Sequence, residues 1–271
     1  LLHEIGHALG LAHPFEGYLM EGANPDTGEG APLDNQKYTV MSYSVDDTVW
    51  FNGPAYPDMG YAVSLTPMKE DIAAIQWMYG AQETNEDDTV YGSDYFSPET
   101  PFALAIWDSG GVDTIDLSTF TEGCDLSLVS GTSSTVVCEE GGTGWQTSQM
   151  ENNLSIASGA IIENIIAGSG DDIIVGNEVA NVINGGAGDD SLTGGAEADT
   201  FEFTGDFGAD TISDFVIGVD LLSFKDTDGS AISAETVVAS DANSDLVLTL
   251  STSSVTLTGL AGETFDDSFL V

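Results

Sequence analysis

The chain has 271 residues and carries 46 acidic side chains against three lysines and no arginine, for a formal net charge of −43. Without a basic surface it cannot displace counterions from phosphates, which argues against nucleic acid and anionic membrane surfaces as partners. At 41% hydrophobic it can bury cores, no apolar run approaches the ~20 residues that span a bilayer, and so large a charge repels itself unless cations bind or screen it.

The chain opens on Leu1-Leu2-His3-Glu4-Ile5-Gly6-His7, already inside a helical pattern, with no initiator Met, charged leader or cap. The expectation is a fragment whose upstream half is missing. His3 and His7 are four residues apart, so both imidazoles leave one helical face and can grip one metal ion. Gly10 lets the chain turn, and His13 can reach the same ion. Three neutral imidazoles leave the fourth position of a zinc ion open for water, as in a catalytic site. Glu4 is not a ligand; its carboxylate is placed to accept that water's proton. A bare HExxH recurs in helices that bind no metal, but the extended form is specific, and it contains all three histidines of the chain.

Residues 14–65 are rich in Gly, Pro and Asp and read as loops. Thr66 is the expected N-cap and Pro67 the first residue of a helix that runs to Tyr79, with Gly80 closing it. Ile72, Ile75 and Tyr79 (or Met78) mark its apolar face. The acidic stretch from Glu83 to Asp88 reads as a linker. From Thr89 onward short alternating segments such as Asp113-Thr114-Ile115-Asp116-Leu117 predict an all-β domain. Cys124 and Cys138 are either one bridge or two buried thiols. Asn153-Leu154-Ser155 fits a glycosylation tripeptide and Asp226 and Asp228 the start of an EF-hand loop; both patterns are weak and are set aside.

Residues 167–202 hold four frames of nine residues, starting at Ala167, Gly176, Gly185 and Gly194. The eighth position is Ile174, Ile183, Leu192 and Phe201; the sixth is Asp172, Asn181, Asp190 and Asp199. Glycine-rich nonapeptides of this form are calcium-binding parallel β-helix repeats. Their glycines allow positive φ, the Asp offers the hard oxygen that Ca²⁺ needs, and the apolar residue fills a thin interior. Alternate frames stack on one side, so Gly168, Gly170 and Asp172 are expected to face Gly186, Gly188 and Asp190 across a complete site. The other side, with Asn181 and side chains at both glycine positions, is expected to bind weakly or not at all.

The extended histidine motif, followed by Pro14, resembles that of the serralysins, secreted bacterial zinc endopeptidases of the metzincin group. Val40-Met41-Ser42-Tyr43 matches their Met-turn. The resemblance continues through Asp71-Ile72-Ala73-Ala74-Ile75-Gln76, Trp107 to Thr114, Ile162-Glu163-Asn164, the repeats, and Asp210 to Phe215. It implies zinc ligation by His3, His7, His13 and Tyr43, Glu4 and Tyr43 as catalytic groups, and Met41 beneath the metal. It also implies calcium at Asp108, Gly110, Gly111, Asp113 and Glu163, and at Gly168, Gly170, Asp172, Gly185, Gly186, Gly188, Asp190, Asp199 and Asp210.

The implied fold is an α+β remnant of a metzincin catalytic domain, residues 1–82, followed by an all-β parallel β-roll/β-sandwich domain, residues 83–271. The implied function is zinc-dependent endopeptidase activity on extracellular proteins, with Zn²⁺ catalytic and Ca²⁺ structural, in a secreted monomer. The fragment alone is expected to be inactive. In this family a comparable C-terminal tail, here Asp266-Asp267-Ser268-Phe269-Leu270-Val271, is read by a type I (ABC) exporter. A final β-strand is the plainer expectation for the same residues. The rival to the enzyme is a non-catalytic calcium-binding module carrying a relic zinc motif; the intact Glu4 favours the enzyme.

Overall fold

The computed structural model describes residues 1–13, 38–42, 64–98, 102–138, 151–233 and 236–271. They divide between two units, each discontinuous in sequence. One takes residues 1–87, 98–111 and 130–161, the other residues 88–97, 112–129 and 162–271.

In the second unit the nine-residue period becomes geometry. Each frame supplies one half-turn, and successive short strands alternate between two sheets. One sheet runs Val90–Tyr91, Thr114–Asp116, Asn164–Ile166, Val182–Asn184, Thr200–Thr204 and Leu221–Lys225, parallel throughout. The other runs Asp125–Ser127, Ile173–Val175, Ser191–Thr193, Ala209–Ile212 and Ser253–Leu257, also parallel. Asp245–Leu250 and Val238–Ala242 then close it antiparallel.

Each three-residue strand buries its middle residue, so the core is built from two columns in register. Tyr91, Ile115, Ile165, Ile183, Phe201 and Leu222 form one; Leu126, Ile174, Leu192, Ile212 and Leu257 form the other. The eighth-position residues Ile174, Ile183, Leu192 and Phe201 are fully buried. Each contributes ~1.5–3 kcal/mol on leaving water, which is the main reason so thin a roll holds. Frame one therefore lies beside frame three, and frame two beside frame four.

In the first unit helix α1 (Leu2–Ala8) is only seven residues long, too short to persist without packing. Leu2, Leu11 and Ile72 supply that packing against Val40, Met41, Met68, Ala103 and Ala105. Helix α2 spans Lys69–Tyr79 with Met68 as N-cap, two residues later than the expected cap at Thr66. The reason lies in the sheet: Thr66 Oγ1 is already engaged with Ala105, donating to its carbonyl oxygen at 3.2 Å and accepting from its N–H at 2.9 Å. Gly80 ends α2 with φ +83°. Of the expected apolar face, Ile72 packs inward while Tyr79 is exposed and donates its hydroxyl to Leu9 O at 2.9 Å.

Cys124 and Cys138 are both buried and are not bridged to each other, so of the two alternatives the thiols hold. Asn153 is buried and its amide bonds both the N–H and the carbonyl of Val136, which removes it as a glycan acceptor. The C-terminus ends not in a strand but in a 3-10 turn, Asp267–Phe269. Phe269 is buried and stacks on Phe215 at 5.8 Å, and Val271 N–H donates to Leu222 O.

Candidate metal centres

On α1 the four-residue spacing sets His3 and His7 on one face. The chain then reverses at Gly10, whose φ of +96° a side chain would strain, and Leu11 N–H returns to Gly6 O at 3.0 Å. His13 is thereby carried back over the helix. Its Nε2 lies 3.2 Å from Nε2 of His3 and 3.1 Å from Nε2 of His7. A tetrahedral zinc with bonds of about 2.0–2.1 Å separates its ligand nitrogens by about 3.3 Å, so the spacing fits that ion.

The protonation pattern fits as well. His3 Nδ1 donates to Val40 O at 2.8 Å and His7 Nδ1 to Leu11 O at 2.9 Å. A carbonyl oxygen only accepts, so both protons sit on Nδ1 and both Nε2 lone pairs face His13. Two lone pairs aimed at one point repel unless a proton or a cation lies between them. Glu4 is exposed on the same helix.

The support beneath the histidines comes from two elements. Met41 is buried with its sulfur against Gly6, where any Cβ would collide with it. Asp71 on α2 is 2% exposed and accepts from Thr39 Oγ1 and, at 2.8 and 2.9 Å, from the N–H groups of Val40 and Met68. Burial outweighs these bonds and holds its pKa above the usual carboxylate range. Asp71 thus fixes Val40, and the Val40 carbonyl fixes His3. An open cleft flanks His13, bounded by Leu11, Thr39, Met41, Asp71, Ala74 and Met78. Tyr43 lies outside the described residues.

The roll carries two columns of capping side chains at its turns. On one side Cys124 N–H donates to Asp172 at 2.7 Å, Asp172 N–H to Asp190 at 2.8 Å and Asp190 N–H to Asp210 at 2.9 Å. Gly186 and Gly188, at φ +94° and +113°, bring their turn against the carbonyls of Gly168 and Gly170, and a Cβ on Gly185 would strike Asp190 Oδ2. Burial, with neighbouring aspartates adding to it, pushes Asp172 up to about 6, Asp190 to about 7 and Asp210 to about 8. Asp190 Oδ2 is buried with no hydrogen-bond partner. Carbonyl oxygens, several carboxylates and an orphaned carboxylate oxygen are the donor set of a hard divalent cation, and calcium fits it.

On the other side Thr89 N–H donates to Asp113, Asp113 N–H to Glu163, Asn181 N–H to Asp199, and Asp199 N–H to Asp220, at 2.8 to 3.0 Å. Burial first, then Asp220 and Asp214, raises Asp199 to about 6. In the first unit Asp108 accepts from Gly110 N–H at 3.2 Å.

Residues 78–249 match the family model described as peptidase M10 serralysin C terminal. The chain belongs to that family. The metalloprotease AprA of Pseudomonas entomophila is 38% identical over 194 residues, 68% of this chain and 37% of that protein. Serralysin G of Dickeya chrysanthemi is 39% identical over 195 residues, again 68% and 37%. The chain therefore spans little more than a third of the length of these relatives. Among solved structures the extracellular lipase LipA of Serratia marcescens aligns over 72% of this chain and 41% of its own, at 18% identity and a TM-score of 0.34, too slight a likeness to bear on the fold.

Three functional positions in this serralysin-family chain escape a sequence reading. Asp71 looks like an ordinary first-turn acid of a helix, and only its partners across the unit reveal its work. Cys124 occupies the turn position that aspartate takes in the next three turns of its column, so the roll begins well before the first repeat. Asp220 continues the opposite column after the frames have ended, where the spacing has stretched beyond nine.

Proposed function

We propose that the complete protein is a zinc-dependent endopeptidase with a calcium-stabilised roll. The observation that carries this is the convergence of the Nε2 atoms of His3, His7 and His13, with the Nδ1 protons of His3 and His7 taken up by the carbonyls of Val40 and Leu11. These three histidines, with Tyr43 as a further ligand, would hold the zinc. When bound, the ion polarises a peptide carbonyl and acidifies water.

The chain's own groups do the remainder. Glu4, one residue from His3 and exposed, takes a proton from the attacking water and delivers it to the departing amine. Tyr43 donates a hydrogen bond to the oxygen on which charge develops. Met41 and Asp71 keep the histidines from shifting. Asp108, Gly110, Gly111, Asp113 and Glu163, and the glycines and aspartates of the frames with Asp210, hold calcium that neutralises the roll's charge. We also propose secretion through a type I exporter as a monomer, with protein and peptide substrates outside the cell. The chain of residues 1–271 alone should have negligible activity.

Zinc content measured with casein hydrolysis by the complete protein tests the proposal. About one zinc per chain with chelator-sensitive hydrolysis is expected. Calcium binding without zinc or hydrolysis would favour the non-catalytic module instead.

A further inference from the structure

The second column of the roll breaks its own rule at one turn. At the other turns described above, a carboxylate takes the N–H of the turn before it. At Asn181 the direction reverses, because Asn181 Nδ2 donates to Glu163 O at 2.8 Å; its Oδ1 accepts from Asn177 N–H at 2.8 Å, as Asp172 accepts from Gly168 N–H. Its second amide proton goes to Asn177 Oδ1 at 3.1 Å. Asn177 does likewise, donating Nδ2 to Ile162 O at 2.8 Å and to Leu128 O at 3.2 Å, while its Oδ1 also accepts from Val179 N–H at 3.0 Å. Asn181 is 1% and Asn177 7% exposed.

These bonds fix which end of each amide is which: the NH₂ groups face carbonyl oxygens, and the oxygens face N–H groups. On the opposite side, frame one has Gly168 and Asp172 at the equivalent positions, and the Asp172 carboxylate accepts from the N–H groups of Cys124 and Gly168, at 2.7 and 3.3 Å, with no proton of its own to give a carbonyl. Here the carbonyls of Leu128, Ile162 and Glu163 are met by amide protons. Buried acceptors that are already satisfied have little to gain from a cation, which would have to displace three charge-neutral hydrogen bonds to reach them.

We propose that Asn177 and Asn181 stand in for a calcium ion, closing the roll between the turns ending at Glu163 and Asn181 with amide protons. This rests on the reading of the roll as calcium-binding. It makes that turn a built-in joint that needs no ion, with calcium confined to other turns of the roll. Three of the pair's amide bonds do the electrostatic work that a divalent ion would do, without adding charge.

The test is calcium stoichiometry of the complete protein by equilibrium dialysis, with thermal unfolding in EDTA and in calcium. Asn177→Gly with Asn181→Asp restores the glycine and carboxylate of frame one. That double variant should bind one more calcium per chain than the natural protein and unfold earlier in EDTA, with the deficit recovered in calcium. Asn181→Ala should leave the calcium count unchanged and lower the unfolding temperature equally in both solutions. A loss of one calcium in Asn181→Ala would make Asn181 a ligand and overturn the proposal. So would a double variant that folds and gains no ion. If the natural protein takes up no calcium at all, the calcium reading itself fails, and this proposal with it.

Discussion

Replacing Asp71 with alanine should loosen the histidine centre from a distance. The buried carboxylate receives Thr39 Oγ1 and two backbone N–H groups, those of Val40 and Met68. Alanine leaves both N–H groups buried without an acceptor, at ~1–3 kcal/mol each. Part of this is returned, because burial itself disfavours the carboxylate and raises its pKa. A net loss of about 3 kcal/mol follows from that balance, a large share of a typical total of ~5–15 kcal/mol. The Asp71→Asn variant would keep one acceptor and lose roughly half as much. Because Val40 O receives His3 Nδ1 at 2.8 Å, zinc affinity should also fall by about tenfold in Asp71→Ala, the lower end of what outer partners of a metal ligand contribute. Urea unfolding of the complete protein gives the first quantity and competition with a chromogenic chelator the second. If Asp71→Ala unfolds within about 0.5 kcal/mol of the natural protein and holds zinc equally well, Asp71 does not position the centre.

Gly188→Ala puts a methyl into the carbonyl of Gly170 at φ +113°, whereas Gly218→Ala, at φ +78°, meets open space. The first should abolish calcium-dependent folding seen by circular dichroism and the second only weaken it; equal effects would remove the close stacking of frames as the cause. A pH dependence follows from the aspartates. Asp172, Asp190 and Asp210 stand at about 6, 7 and 8 in the folded chain against an ordinary 3.8. Between those values the folded state holds more protons than the unfolded one, so without calcium stability should fall as pH rises from about 4 to about 8. Thermal unfolding in EDTA across that range checks the sign, and a rise toward pH 8 would refute it.

Much of the site was legible because its signals are local. The close spacing of His3, His7 and His13 puts all three nitrogens on one point with a single glycine turn. The nine-residue phase set which frames lie side by side, since every apolar eighth residue must reach the same thin interior. What was not legible depends on partners far along the chain. The segment around Ile115 reads as a strand, but the half-turns at Tyr91, Ile115 and Leu126 lack the nine-residue phase that would join them to the roll. The α2 start moved because Ala105, 39 residues away, takes the Thr66 hydroxyl. The Phe269 tail reads as a strand or an export signal in isolation, and its stack on Phe215 exists only once the roll has formed.

In the proposed mechanism Glu4 carries the proton while the histidines carry the metal. Zinc content and casein hydrolysis, compared in the complete protein and its Glu4→Gln variant, test it most directly. The variant should retain about one zinc per chain and lose hydrolysis by roughly two or more orders of magnitude, as expected for removal of a general base. Near-natural hydrolysis by Glu4→Gln with its zinc in place would contradict the account.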